Sequence, residues 1–101
     1  MKKYIIRIKP EARTDIRNTQ HFIAYTLLSP LTSERYVIGI YQAIYRLSFY
    51  GGSIAPSLND YIQANYGPDA RTITYKKMSI IYNITDDIIY VRRVIAGSLI
   101  K

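Results

Sequence analysis

Three runs decide the fold: Arg71-Thr-Ile-Thr-Tyr-Lys76, Met78-Ser-Ile-Ile-Tyr-Asn-Ile84 and Ile88-Ile-Tyr-Val-Arg-Arg-Val-Ile95. Their residues are β-branched or aromatic almost throughout, which suits a pleated and partly buried surface. Lys76-Lys77 divides the first run from the second, and Thr85-Asp86-Asp87 divides the second from the third. Short polar residues of this kind tolerate tight turns. The three runs therefore predict an antiparallel meander. One face of it should be covered by everything that precedes it, and the other should stay open.

What precedes the meander is one strand and two helices. Tyr4 to Lys9 is β-rich with weak alternation, and Pro10 ends it. Glu11 opens a helix with a carboxylate at the positive end of the dipole. Ala12, Ile16, Thr19, Ile23 and Leu27 form its apolar stripe, widened by Phe22 and Thr26. Ser29-Pro30 marks the next boundary, with serine as a cap and proline in the first turn. The second helix runs to about Phe49, with Val37, Ile40, Ile44 and Leu47 on one side, and Gly51-Gly52 ends it. Between Gly51 and Ala70 the pattern supports only a short helix from Leu58 to Tyr66, capped by Ser57 and stopped by Gly67. Leu58, Tyr61 and Ile62 would be its buried side. The order gives an α+β domain over 1–101. A strand and helical hairpin precede the meander, and the first strand joins it by a long crossover. Parallel pairing with a later strand then makes a mixed four-stranded sheet with helices on one face.

Composition bounds the chemistry. Hydrophobic residues make up 49% of the 101 and charged ones 21%, the balance of a globular chain with a single core. There is no cysteine, so disulfides and thiolate chemistry are excluded, and a reducing, cytoplasmic setting is expected. Apolar runs stop well short of the ~20 residues that cross a bilayer. The N-terminus starts like a signal peptide, but Arg7 and Lys9 cut its apolar stretch off. The net charge is +7 and the pI ≈ 9.7, a field that favours a polyanion or an acidic partner.

Site motifs are mostly absent. One histidine, His21, and seven scattered carboxylates make no metal site, and there is no P-loop, dinucleotide fingerprint or Gly-x-Ser-x-Gly elbow. No cofactor, small-molecule substrate or membrane contact is expected. What remains is a cationic set at the sheet: Arg71, Lys76, Lys77, Arg92 and Arg93. The planar guanidinium fork suits phosphate. Strand alternation puts Tyr90 and Arg92 on one face, and Val91 and Arg93 on the other.

The chain resembles the RelE/ParE superfamily of type II toxin–antitoxin toxins along nearly its whole length. The resemblance is carried by Tyr4-Ile-Ile-Arg-Ile-Lys9 with Pro10-Glu-Ala-Arg-Thr-Asp-Ile16, by Ser29-Pro30 and Glu34-Arg35-Tyr36, and by Ile40-Tyr-Gln-Ala-Ile44 with Leu47. It continues in Arg71, in Ile80 to Asp87, and in Ile89-Tyr-Val-Arg-Arg-Val-Ile95. It implies growth inhibition, plasmid stabilisation and a cognate antitoxin as partner. It also implies a target, which is DNA gyrase for ParE-like members and mRNA in the ribosomal A site for RelE-like members. Several mRNA-cleaving relatives end the last strand with a histidine or tyrosine, where this chain has Ala96-Gly97-Ser98. That departure favours the gyrase-poison reading. The alternatives are a ribosome-dependent endoribonuclease and an inactive relative that serves only as a binding module. For the nuclease, Arg71 together with Arg92 or Arg93 would hold phosphate, and Tyr90 or Lys76 would aid proton transfer. Lys76, Lys77, Arg71 and Arg92 are the expected target-binding residues.

Overall fold

The computed structural model describes residues 3–100. Met1, Lys2 and Lys101 lie outside it, and with them the start of the basic N-terminal segment. The elements follow the expected order: β1 (Ile5–Ile8), α1 (Pro10–His21), α2 (Pro30–Tyr50), α3 (Asp60–Tyr66), β2 (Arg71–Tyr75), β3 (Met78–Thr85) and β4 (Ile88–Ala96). The sheet order is β1-β4-β3-β2. β1 lies parallel to β4, with Ile5 opposite Ile88 and Ile8 opposite Val91, and the other neighbours are antiparallel. This is the mixed four-stranded sheet that the sequence predicts. No helix among the described residues is long and apolar enough to cross a membrane.

The helical hairpin covers one face. Ala12 and Ile16 from α1, with Ile40, Ile44 and Leu47 from α2, meet Ile80, Tyr82, Ile89, Val91 and Val94 from the sheet. Each large aliphatic side chain buried there contributes about 1.5–3 kcal/mol relative to leaving it in water. Pro10 sits in the first turn of α1 and Pro30 in that of α2, where the missing N–H costs nothing. Ser29 does not cap α2 with its side chain. The hairpin is closed instead by the Ser33 hydroxyl, which donates to the Gln20 carbonyl at 2.9 Å.

Two details differ from the sequence pattern. The stripe of α1 stops at Ile23, because Phe22–Thr26 is a π-helical turn in which the Leu27 N–H reaches the Phe22 carbonyl. The wider turn rotates the residue that follows it off the core, so Leu27 is exposed, and Phe22, which opens the turn, is exposed as well. The second difference is α3, which lies on the face opposite the hairpin. Its Ile62 packs with Ala70, Ile81 and Ile95 in a second, smaller cluster. Leu58 precedes α3 and is 88% exposed rather than buried. The cap is Asn59, whose Oδ1 accepts from the Ile62 N–H at 3.0 Å, and not Ser57.

Tyr82 ties the sheet to the end of α2. Its hydroxyl donates to the Gly51 carbonyl at 2.8 Å, and burial pushes its phenol up from 10.0 to about 12 although the Arg71 guanidinium pulls it down. Tyr82→Phe should cost about 1–2 kcal/mol. The bond needs the neutral phenol, so its contribution is complete below pH 10 and is lost as the pH rises from 10 to about 12. In urea unfolding the gap between wild type and Tyr82→Phe should therefore close over that window, and a gap constant across it would contradict the assignment. Gly67 ends α3 at φ +99°, a conformation that costs a side chain of order 1–2 kcal/mol. Gly67→Ala should lower the thermal midpoint by roughly 4–8 °C for each kcal/mol lost; an unchanged midpoint would contradict this.

Candidate functional site

A β-bulge decides where the two adjacent arginines go. Ile81 pairs with Arg93 and Tyr82 with Val91, so Arg92 is an extra residue with no partner on β3. Strict alternation sends Arg93 to the Val91 side, under the hairpin. The bulge instead sets Arg93 opposite Ile81, which belongs to the second cluster, and it is Val94 that enters the main core. Both arginines thus leave the strand on the side of Tyr90.

They then part company. Arg93 is bound to α1: its Nε donates to Asp15 Oδ2 at 2.7 Å and its Nη2 to Asp15 Oδ1 at 2.9 Å. This two-pronged pair holds Arg93 protonated beyond its already high range, chiefly through the hydrogen bonds it donates to the carboxylate. Arg92 stays over the sheet. Its Nη1 donates to Asn83 Oδ1 at 2.9 Å, and its guanidinium stands 5.6 Å from the Tyr66 ring centre. Asn83 in turn donates to the Tyr66 carbonyl at 3.1 Å, so the end of α3 steadies the pair.

Around Arg92 the open face forms a depression of about 420 Å³ lined by Lys9, Glu11, Asn83, Thr85, Tyr90 and Arg92. Lys9 follows β1 and precedes the first turn of α1, and its Nζ stands 5.2 Å from the Tyr90 ring centre. Arg7 pairs with Tyr90 and so shares this face. Two cations in one concavity, with further amide and hydroxyl groups, suit a phosphate. Glu11 and Tyr90 add one carboxylate and one phenol that could accept and donate protons.

The rest of the predicted set is elsewhere. Arg71 pairs with Tyr82 and so points to the hairpin side, where its Nε is buried without a hydrogen-bond partner. Lys76 and Lys77 form the β2–β3 turn, with Lys76 at φ 54°. The Lys76 ammonium lies 5.8 Å from the ring centres of Tyr36 and Tyr75, again on the hairpin side. Of the predicted cluster, the structure unites only Tyr90 and Arg92. It adds Lys9, Glu11, Asn83 and Thr85. A sequence signal for the first existed: Arg7 and Lys9 alternate with Ile6 and Ile8, and the parallel register carries them beside Tyr90. Asn83 is the polar break in the apolar run Ile80 to Ile84.

No protein-family profile matches the sequence, and no curated protein matches it either. The fold is nonetheless similar to solved structures. One is the chromosomal ParDE toxin–antitoxin system from P. aeruginosa, with a TM-score of 0.74, 16% identity, and coverage of 93% of this chain and 96% of that one. Another is the toxin–antitoxin complex RelBE2 from Mycobacterium tuberculosis, with a TM-score of 0.63, 16% identity, and coverage of 93% and 98%. With its helical hairpin on a mixed β1-β4-β3-β2 sheet, this chain shares its fold with the matched chains of those two toxin–antitoxin structures.

Proposed function

We propose that this protein is the toxin of a type II toxin–antitoxin pair, held inactive by a cognate antitoxin and active in the cytoplasm when released. The observation that carries this reading is the likeness of fold along 93% of the chain to a ParDE and a RelBE2 toxin–antitoxin structure. We further propose that the open face around Arg92 is the surface that engages the target. The hairpin covers the other face with packed side chains, and Arg93 is committed to Asp15.

Growth inhibition through DNA gyrase is the first reading of the target. Ala96-Gly97-Ser98 supplies no imidazole or phenol at the end of the last strand, and rapid cleavage of RNA needs both a proton acceptor for the 2′-hydroxyl and a donor for the leaving oxygen. One observation favours a second reading, ribosome-dependent cleavage of mRNA. Glu11 and Tyr90 stand with Lys9 and Arg92 in a single concavity, which brings proton-handling groups and phosphate-binding groups together.

Induced expression should stop growth, and co-expression of the product of the neighbouring reading frame should restore it. Arg92→Ala should reduce toxicity by at least roughly tenfold, since one charge-assisted contact is worth about 1.5–3 kcal/mol. Intact mRNA with trapped gyrase–DNA complexes supports the first target, and codon-linked breaks in primer extension support the second. A chain that leaves growth unaffected overturns the toxin reading, and an Arg92→Ala variant as toxic as the parent overturns the site.

A further inference from the structure

The strand beside Arg92 is not held by the sheet at the point where Arg92 leaves it. On the β3 side, Arg92 falls between the Tyr82–Val91 and Ile81–Arg93 pairs and has no partner of its own. On the β1 side, the last ladder pair is Ile8 with Val91, and the Lys9 N–H closes that edge on the Val91 carbonyl at 2.9 Å. β4 continues to Ala96, so from Arg92 onward it has no neighbouring strand on that edge. An extra residue next to a bare edge leaves the backbone free to re-aim its side chain.

One carboxylate takes the place of the missing strand. Asp15 Oδ2 accepts the Val94 N–H at 2.9 Å, and both Asp15 oxygens take the Arg93 fork. The Asp15 side chain is only 12% exposed, against 38% for Arg93. α1 carrying Asp15 is itself fixed to the core by Ala12 and Ile16. The two residues that follow Arg92 are thus pinned to a rigid helix, while Asn83 and Tyr66 hold the Arg92 side chain from the other side.

We propose that Asp15 is a positioning residue: by pinning Arg93 and Val94 at the bulge it fixes the aim of Arg92 into the open-face depression, without touching the target itself. This rests on the reading of that depression as the target site. It predicts an effect opposite in sign to simple electrostatics. Removing a negative charge from a basic protein strengthens its attraction for a polyanion. Removing this particular carboxylate should weaken it, because the guanidinium loses its fixed direction.

The test is binding of a short single-stranded RNA oligonucleotide to the purified chain at fixed low salt, by fluorescence anisotropy, with thermal unfolding in parallel. Arg92→Ala calibrates the site and should weaken binding at least roughly tenfold, the loss expected for one charged contact. Asp15→Asn keeps an oxygen acceptor for the Val94 N–H but loses the charged fork. It should weaken binding about three- to tenfold, and the double variant should be no weaker than Arg92→Ala alone, the signature of two residues acting through one contact. If Asp15→Asn does not fold, Arg93→Lys keeps the charge and removes the fork, and it should weaken binding in the same direction. Asp15→Asn binding that is unchanged or tighter, with Arg92→Ala weakened, overturns the positioning role and leaves the site standing. Arg92→Ala binding equal to the parent overturns the site, and the positioning role with it.

Discussion

β1 is four residues long and β4 is nine, and the parallel pairing between them ends at Val91. Much of the molecule is arranged around that mismatch. Where β1 stops, Pro10 turns the chain into α1, and the first two turns of that helix cross the strand edge that β1 has left bare. An uncovered edge presents unpaired amides, which proteins must pair, cover or charge. Here a carboxylate from α1 takes the Val94 amide and the Arg93 fork together. The same carboxylate joins the helical layer to the sheet at the bulge. A half-buried pair of this kind adds modest net stability, but it fixes geometry because removing the carboxylate leaves the Val94 amide and the Arg93 fork without their acceptor.

The two faces of the sheet have different physical characters. Under the hairpin, aliphatic side chains from β3 and β4 mesh with those of α1 and α2, and Tyr82 reaches through to the end of α2. Across the sheet, α3 covers only the part around Ile81 and Ile95. The β1 end of that face is left with Arg7, Lys9, Tyr90 and Arg92 beside polar groups. The bulge makes this division workable. It takes a guanidinium that plain alternation would bury beneath the hairpin and returns it to the open side, and Val94 fills the core in its place.

Much of this architecture was readable from residues alone, because local chemistry agrees with the global fold. Pro10, Pro30 and Gly67 mark real boundaries, and the apolar spacing of Ile40, Ile44 and Leu47 is the buried face of α2. The β-branched runs are strands, and the long crossover gives the parallel pair. The site was less legible. A period-2 pattern contains no sign of a one-residue insertion, so it puts Arg93 on the hairpin side, and the bulge puts it on the other. Arg71 and Lys76 resemble partners of Arg92 in being cationic and in a β-rich run, yet Arg71 pairs with Tyr82 and Lys76, in the turn after β2, lies against Tyr36 and Tyr75, both on the hairpin side. Leu58, Phe22 and Leu27 also lie outside the core that their spacing predicts, in the first case because the cap is Asn59 rather than Ser57 and α3 starts two residues later, at Asp60. In the other two a π-helical turn breaks the 3.6-residue period. In each case a single backbone irregularity outweighs a side-chain pattern.

The most direct test of the central claim, that the molecule acts through the open face around Arg92, is a ¹⁵N amide chemical-shift titration with inorganic tripolyphosphate. The expected result is saturable shifts confined to Lys9, Asn83, Thr85, Tyr90 and Arg92. Saturable shifts centred on Arg71 and the Lys76-Lys77 turn, with the Arg92 region silent, would contradict it.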